Sequence, residues 1–225
     1  MKNKETMMKK LLIALAILAV ASVAQADILA TWNFYGSNST QWEPAMPIAG
    51  ANLDANIDSA SLTIGGGFVA TSSGNNLRSN GTYWGITSPD LGDAYVQISL
   101  AAADGYTLTV ETITGAVAGS GTGVGGVDRW AAQADGGGYG WVIGESATAN
   151  NTSASWDITD TTGETVDLRY FASPTAAGGT YGFQGINGGN SIVINGTTQP
   201  IPEPATMSLL GLGALAMVLR RKMKK

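Results

Sequence analysis

Apolar and polar residues alternate over several short runs between positions 28 and 194 of this chain. A period of two is typical of strands that bury one face and expose the other. In the first run, Ile28, Ala30, Trp32 and Phe34 share one face. The later runs place these residues on one face of a strand: Ala60, Leu62 and Ile64; Val96, Ile98 and Leu100; Tyr106, Leu108 and Val110; Trp141 and Ile143; Val166, Leu168 and Tyr170; Tyr181 and Phe183; Ile192 and Ile194.

The gaps between these runs are rich in Gly, Asn, Asp, Ser and Thr, which favour turns. Eight or more short strands separated by turns predict an all-β fold, an antiparallel β-sandwich of the jelly-roll kind. First and last strands often pair in such folds, so we expect residues 28–34 to lie beside residues 191–195. Residues 127–134 are the one stretch with a helical alternative, and three glycines follow it closely.

The N-terminal end has the three parts of a secretory signal peptide. Four lysines within the first ten residues precede an apolar run at 11–20, and Ala24 and Ala26 supply the small residues of a cleavage site. The run is shorter than the roughly twenty residues of a transmembrane helix. We therefore expect signal peptidase to cut after Ala26, which makes residues 1–26 a signal peptide helix.

The C-terminal end also has the features of a targeting segment. Residues 197–204 contain alternating prolines, which predict an extended linker because proline cannot donate to a sheet. An almost wholly apolar run follows at 205–219, and the chain closes on a basic tail at 220–225. Residues 200–225 thus read as a linker, a short transmembrane helix and a basic tail. Between the two ends lie residues 27–199, which we call the passenger.

The triplet Pro202-Glu203-Pro204, the apolar helix and the basic end with Arg220 and Arg221 resemble the PEP-CTERM sorting signal of exported bacterial proteins. The resemblance implies an exosortase-type enzyme that recognises the triplet and releases or transfers the protein to the cell surface. It also implies an association with extracellular polysaccharide production. The passenger is similar to the β-sandwich modules that precede such tails, through segments such as D-A-Y-V-Q-I-S-L and S-I-V-I-N-G.

The apolar segment is short for a permanent anchor. Fifteen residues in a helix span about 22 Å, against about 30 Å for the hydrocarbon core of a bilayer. We expect the segment to tether the protein to the inner membrane before processing, with the basic tail cytoplasmic and the triplet outside. An ordinary stop-transfer anchor is the alternative.

The passenger is strongly acidic. Its three arginines, Arg78, Arg129 and Arg169, stand against fifteen acidic residues, which leaves a net charge of −12, and it contains no lysine. Such a surface repels phosphate backbones, so we expect no nucleic acid among its partners. The chain has no cysteine, so the passenger must fold without disulfides, and its length makes that feasible.

The residue inventory argues against an enzyme. Neither histidine nor cysteine is present, which excludes Ser-His-Asp and Cys-His catalysis. The glycines at 121–126 match G-x-G-x-x-G, but a dinucleotide site also needs a following helix, which the surrounding strand pattern does not provide. Paired carboxylates for glycoside hydrolysis are conceivable among fifteen acids, yet no compact acidic motif appears.

Asp54, Asn56 and Asp58 set three oxygen-bearing side chains at alternate positions, as calcium loops do. Ser59 and Gly65 occupy the places where an EF-hand requires glycine and a bidentate glutamate. A calcium site completed by backbone carbonyls is therefore one hypothesis, and an Asx-rich turn before the next strand is the other. No other cofactor is indicated.

Six tryptophans lie in the passenger, and exposed indoles can stack on sugar rings. Trp32 and Trp141 belong to alternating runs and are expected in the core. Trp42, Trp84 and Trp130 lie in loop-like sequence, so we place a glycan-binding platform there if the protein has one.

The sequence therefore predicts an exported surface or extracellular-matrix protein with a non-enzymatic structural or interaction role. A carbohydrate-binding β-sandwich module, with or without calcium, is the alternative. A hydrolase that uses two carboxylates is the third hypothesis.

Overall fold

The structure is a computed structural model that describes residues 27–35, 48–65, 76–79, 95–120, 126–148, 151–174 and 180–202, together with residue 213. The strands of this part of the chain are β1 (Asp27–Trp32), β2 (Ile48–Ala49), β3 (Ile57–Gly65), β4 (Asn76–Ser79), β5 (Tyr95–Ala102), β6 (Tyr106–Ser120), β7 (Gly126–Ala134), β8 (Gly140–Thr148), β9 (Asn151–Gly163), β10 (Thr165–Pro174), β11 (Thr180–Gln184) and β12 (Ile192–Pro200).

The first sheet is built around β6, whose 15 residues are long enough to pair with three other strands. β9 lies along one edge of β6. Along the other edge, β12 pairs with residues 106–115 and β11 with residues 117–120, so these two strands follow one another in line. β1 lies outside β12, and β4 lies outside β11. All five pairings are antiparallel.

The second sheet has the strand order β2-β3-β5-β10-β7-β8, and every neighbouring pair is antiparallel. Two antiparallel sheets that share one core confirm the predicted all-β sandwich. The helix predicted for the signal peptide lies outside the described residues, as does the helix predicted for the tail except for residue 213.

One hydrophobic core fills the space between the sheets, where each large buried apolar side chain contributes about 1.5–3 kcal/mol. Aromatic rings from both sheets meet at its centre. Trp130 of β7 lies 5.6 Å from Trp156 of β9, and Tyr170 of β10 lies 4.3 Å from Phe183 of β11, between ring centroids. The alternating runs are confirmed as core faces at Ala30, Trp32, Phe34, Ala60, Leu62, Val96, Ile98, Leu100, Leu108, Val110, Val166, Leu168, Tyr170, Tyr181, Phe183, Ile192 and Ile194.

β-Bulges explain where the alternation misleads. The register between β1 and β12 shifts between Ile28 and Ala30. Ile28 is therefore 46% exposed, whereas Leu29 is fully buried, so the expectation that Ile28 shares the core face is wrong. An extra residue in one strand breaks the period of two, and an interpretation that assumes strict alternation cannot detect it.

Gly196 marks a second bulge, where the register between β12 and β6 shifts. A Cβ atom on Gly196 would lie 1.9 Å from the carbonyl oxygen of Thr109 and 2.9 Å from Leu29. Glycine is required here because the two backbones approach too closely for any side chain.

The first and last strands pair as expected, with Asp27 opposite Gly196 and Trp32 opposite Ile192. β12 extends further than the sequence suggests, since Pro200 pairs with Tyr106 and the Ile201 amide donates to Gly105. The sequence predicts that the proline-containing stretch at 197–204 interrupts the sheet, whereas the last strand continues to Pro200. Proline is tolerated at this position because it ends the strand, where a missing donor costs little.

The stretch at 127–134 is strand β7, so its helical alternative is also wrong. β7 lies between β10 and β8, and ladder hydrogen bonds to both neighbours outweigh the weak helical pattern. Within the part of the chain that the structure describes, no helix has the length and apolar character to cross a membrane.

Candidate functional site

The outer face of the second sheet, turned away from the core, carries a cluster of aromatic and arginine side chains. They alternate with core residues along β5, β10 and β7. Arg169 lies opposite Gln97 of β5 and Ala131 of β7, and Ala131 in turn lies opposite Trp141 of β8. We call this cluster the arginine–aromatic face, and it consists of Tyr95, Arg129, Tyr139, Trp141, Arg169 and Phe171.

Arg169 stacks on two tyrosine rings. Its guanidinium carbon lies 4.2 Å from the ring centroid of Tyr95 and 3.8 Å from that of Tyr139. Its Nε donates a 3.3 Å hydrogen bond to the side-chain oxygen of Gln97. Cation–π contact with two rings and a fixed donor direction hold this long side chain in one place.

A glycine makes room for this stack. Gly65 of β3 lies opposite Tyr95, and a Cβ atom on Gly65 would lie only 2.5 Å from the Tyr95 ring. The Tyr95 ring therefore lies directly over the glycine backbone. The position of one aromatic residue on this face thus depends on the absence of a side chain on the neighbouring strand.

Phe171 and Trp141 form the apolar part of the face. Phe171 is buried and meets Tyr95 at 6.0 Å and Trp141 at 5.3 Å, in edge-to-face geometry. The guanidinium carbon of Arg129 lies 5.2 Å from the Trp141 ring centroid. Trp141, Tyr95 and Tyr139 remain half-buried, so each ring presents part of its surface to solvent.

An acidic residue borders the face on one side. Asp167 lies two residues before Arg169 on β10, and its Oδ2 accepts a 2.7 Å hydrogen bond from Gln133. Burial, followed by the Asp167 carboxylate, raises the pKa of Tyr139 to about 12, and Arg169 opposes part of that rise. Tyr139 is thus a neutral phenol at physiological pH.

This arrangement offers both apolar surface and hydrogen-bonding groups to a binding partner. Half-buried rings offer apolar surface, while Gln97, Ser99, Gln133 and the two arginines carry hydrogen-bonding groups on the same sheet. The cluster contains no nucleophile beside a base, which acyl or glycosyl transfer would require.

A second polar cluster is sealed inside the sandwich. Asp128 of β7 is fully buried, and it accepts hydrogen bonds from the hydroxyls of Tyr170 and Tyr181. Burial, followed by the proximity of Asp128, raises the pKa of Tyr170 well above its usual value of 10. Because β7 and β10 belong to one sheet and β11 to the other, the cluster ties the sheets together.

The predicted glycan platform is not supported at Trp130. This tryptophan lies in β7 rather than in a loop, and its side chain is 0% exposed at the centre of the core. Trp130 occupies a position of β7 that faces the core. The polar residues before it, Asp128 and Arg129, make the sequence look like a loop and hide this. Trp42 and Trp84 lie outside the described residues.

Trp141 also departs from expectation, because it faces outward onto Phe171 instead of inward. Two register shifts between β7 and β8 lie next to it, between Asp128 and Trp130 and between Trp130 and Ala131. These irregularities decide which face of β8 carries the indole.

Asp54, Asn56 and Asp58 precede and enter β3. The Asp54 carboxylate accepts a 2.8 Å hydrogen bond from the backbone N–H of Asn56, which is the geometry of an Asx turn. The Asn56 side chain points to Thr198 of β12 at 3.0 Å, and Asp58 is exposed. Among the described residues, no three acidic side chains approach closely enough to hold a metal ion.

The sorting residues lie largely beyond the described part of the chain. Pro202 is described and exposed, whereas Glu203, Pro204, Arg220 and Arg221 are not described. The predicted cleavage-site residues Ala24 and Ala26 also lie outside it.

Sequence reasoning missed the arginine–aromatic face, although a signal was present. In β5 and β10 the residues between the core positions include Tyr95, Gln97, Arg169 and Phe171. Aromatic and arginine residues on the polar side of a strand are unusual enough to mark a surface of interest. Only the sheet order shows that they converge.

Comparison with known proteins identifies the tail. Residues 200–222 match the family model of the PEP-CTERM protein-sorting motif. No curated protein matches the chain.

Several solved structures show a loosely similar fold. A pectin-binding carbohydrate-binding module has 11% identity, with 76% of this chain and 91% of that chain covered, at a TM-score of 0.33. A xylan-binding domain from Paenibacillus barcinonensis has 13% identity, with coverages of 81% and 99%, at a TM-score of 0.35. A Clostridium perfringens domain in complex with GalNAc-β-1,3-galactose has 13% identity, with coverages of 60% and 94%, at 0.32. TM-scores below 0.5 give this likeness no weight for ligand or function.

Proposed function

We propose that this chain, which carries a PEP-CTERM sorting motif at residues 200–222, is an exported surface or extracellular-matrix protein with a non-enzymatic, structural or interaction role. The motif carries the proposal, because it marks the chain for export and sorting. An exosortase-type enzyme would be its processing partner, and signal peptidase would remove residues 1–26.

The geometry of the sandwich supports this role. β12 leads into the tail at the end of the sandwich where β1 begins, since Asp27 lies opposite Gly196. The N-terminal start of the passenger and its C-terminal exit are therefore neighbours. A domain attached at one end of the sandwich leaves the outer faces of both sheets accessible to its surroundings.

The tail itself is proposed to act as a temporary inner-membrane tether. Arg220, Arg221 and the lysines after them favour the cytoplasmic side, which leaves Pro202-Glu203-Pro204 outside. Removal of the short apolar segment would then deliver the passenger to the cell surface or the matrix.

Mass spectrometry of the mature C-terminus, from the native host, tests this proposal. We expect a C-terminus near residues 202–204 in the surface fraction. Pro202→Ala combined with Glu203→Ala should leave the full tail and hold the protein in the inner membrane. An intact tail on surface-located protein would contradict sorting by cleavage.

Carbohydrate binding is the second candidate function, and the arginine–aromatic face favours it. Half-buried Trp141, Tyr95 and Tyr139 offer ring surface beside hydrogen-bonding side chains. A glycan array with the full chain and with Trp141→Ala tests it, since the signal should fall in the variant. Trp42→Ala and Trp84→Ala test the positions proposed from sequence. A signal that survives all three changes would exclude these three tryptophans from the binding site.

A calcium contribution is tested separately, by thermal unfolding with calcium and with chelator. A ligand selective for the folded state raises the midpoint, so an unchanged midpoint would exclude a stabilising calcium site.

A further inference from the structure

We infer that the sandwich itself presents the sorting triplet, so that the processing enzyme recognises Pro202-Glu203-Pro204 as a stiff extension of β12 and contacts the end of the passenger beside it. The motif matched at 200–222 begins inside the last strand, which ends at Pro200. This inference rests on sorting by an exosortase-type enzyme, and it adds a second recognition element that lies in the passenger.

The first sheet holds the chain up to the triplet. Pro200 pairs with Tyr106 of β6. The backbone N–H of Ile201 then donates a 2.7 Å hydrogen bond to the carbonyl oxygen of Gly105. Pro202 is the next residue, so no free linker separates the last hydrogen bond of the sheet from the triplet.

The register decides which way Pro200 faces. Opposite residues of an antiparallel pair alternate between hydrogen-bonded and non-hydrogen-bonded positions. Ile201 donates to the β6 side, so the backbone nitrogen of Pro200 faces away from β6, where no donor is needed. β1 begins at Asp27, opposite Gly196, and does not reach this edge. Among the described strands, none pairs with the outer edge of Pro200, which is therefore open to a partner.

The sequence keeps the chain extended beyond the sheet. Gln199, Ile201 and Glu203 each precede a proline, which restricts a residue to extended backbone conformations. A glycine-rich linker would let the triplet move away from the sandwich, whereas this stretch continues the direction of β12. A peptide presented in one conformation spares its partner the cost of ordering it.

Little space separates the sandwich from the apolar segment. Only three residues lie between Ile201 and Ala205, which span at most about 14 Å from one Cα atom to the other. An enzyme that encloses the triplet beside the membrane therefore meets the nearest passenger surface, the exposed turn at Asp104 and Gly105. Pro200, Ile201 and Pro202 are also exposed, and they offer apolar surface to the same contact.

Charge favours a protein over the bilayer as the occupant of this surface. Five exposed acidic residues lie at the end of the sandwich where β12 ends: Asp27, Asp58, Asp104, Asp135 and Glu164. Anionic lipid headgroups would be repelled by these carboxylates, whereas a protein surface can supply complementary groups.

Insertions into the full chain test the inference. Gly-Ser or Gly-Ser-Gly-Ser between Gln199 and Pro200 keeps the matched residues 200–222 intact but moves them up to about 7 or 14 Å from the sandwich. Gly-Ser-Gly-Ser between Gly188 and Gly189 is the matched control, in the turn that precedes β12 at its other end. Pulse–chase in the native host, with mass spectrometry, measures how fast a C-terminus near residues 202–204 appears.

We expect the four-residue insertion before Pro200 to slow processing at least about fivefold, and the two-residue insertion to slow it less, because a flexible linker loses the fixed presentation. The control insertion should leave the rate within about twofold of the unmodified chain, since exposed turns tolerate insertions. Thermal unfolding confirms that each passenger is folded.

Two results would overturn the inference. Unchanged or faster processing after insertion before Pro200 would show that the enzyme recognises the triplet alone and gains from a longer linker. Equal slowing by the control insertion would show that the effect does not depend on the end of β12. Both results leave sorting by cleavage intact, whereas an unmodified chain that keeps its tail at the surface would contradict sorting itself.

Discussion

The hydroxyl of Tyr181, on the first sheet, donates a 3.2 Å hydrogen bond to Oδ2 of Asp128, on the second. Tyr170 donates to the other oxygen of the same carboxylate. A buried polar group is tolerated when its hydrogen bonds are made, and here those bonds also fix how the two sheets stack.

This cluster predicts a specific loss of stability. Tyr181→Phe should lower the free energy of unfolding by about 1–3 kcal/mol, because a buried acceptor loses a donor while the ring stays in place. Asp128→Ala should cost more than Tyr181→Phe, since both phenols lose the same acceptor. Denaturant unfolding measures the difference. Tyr35→Phe, at an exposed position, is the control, and an equal effect there would contradict the role of the cluster.

Gly196→Ala should be among the most damaging small substitutions. The new Cβ atom would lie 1.9 Å from the carbonyl oxygen of Thr109, so β12 and β6 would have to separate. We expect a loss of roughly 2–4 kcal/mol, at the upper end for overpacking. Gly140→Ala is the control, because nothing lies within 4 Å of its Cβ position. Thermal unfolding of the two variants, compared directly, tests the bulge, and similar midpoints would count against it.

Gly65→Ala should act on the binding face instead of the fold. Its Cβ atom would lie 2.5 Å from the Tyr95 ring, and that ring can swing away at modest cost because its edge is half-exposed. Arg169 would then lose one of its two stacking partners. We expect saccharide affinity to fall several-fold, with a change in unfolding free energy of about 1 kcal/mol or less. Unchanged affinity would show that the stack does not position Arg169 for the ligand.

Stability should fall in alkali. Burial and then the Asp167 carboxylate raise the pKa of Tyr139 to about 12, and burial followed by Asp128 raises that of Tyr170 well above 10. In the unfolded chain both phenols lose their protons near pH 10, so above that pH the folded state holds more protons than the unfolded state.

Below about pH 10 both phenols are protonated in the folded and the unfolded state, so their contribution to the free energy of unfolding should not change with pH. The free energy of unfolding should then fall as the pH rises from 10 through 12. Urea unfolding at a series of pH values measures the decline. In Tyr139→Phe the decline should be shallower, because one of the two shifted groups is gone. A slope unaffected by this change would assign the alkaline loss to other groups.

Much of the fold could be predicted because it depends on local alternation. Val96, Ile98 and Leu100 lie at every second position, and a strand turns such residues to one side whatever its neighbours are. Ile28 and Trp141 were misplaced because both lie at register shifts. A bulge is a property of two paired strands, so one strand read alone does not reveal it.

The binding face could not be predicted in the same way. Tyr95, Tyr139 and Arg169 are far apart in the chain and belong to separate strands and a turn. They meet because β5 and β7 both pair with β10, an order that depends on non-local hydrogen bonds. Trp130 shows the converse, since its loop-like neighbours suggested exposure and its strand pairing buried it.

The sequence alone determined that this protein carries a sorting tail and that its passenger is built from strands. Both depend on residues adjacent in the chain: the triplet with its apolar and basic segments, and the two-residue period of buried side chains. The tertiary structure decided which strands are neighbours, and thereby which side chains share the arginine–aromatic face and which carboxylate is sealed between the sheets. Contacts of this kind depend on register and sheet order, which the whole chain sets together and no single segment encodes.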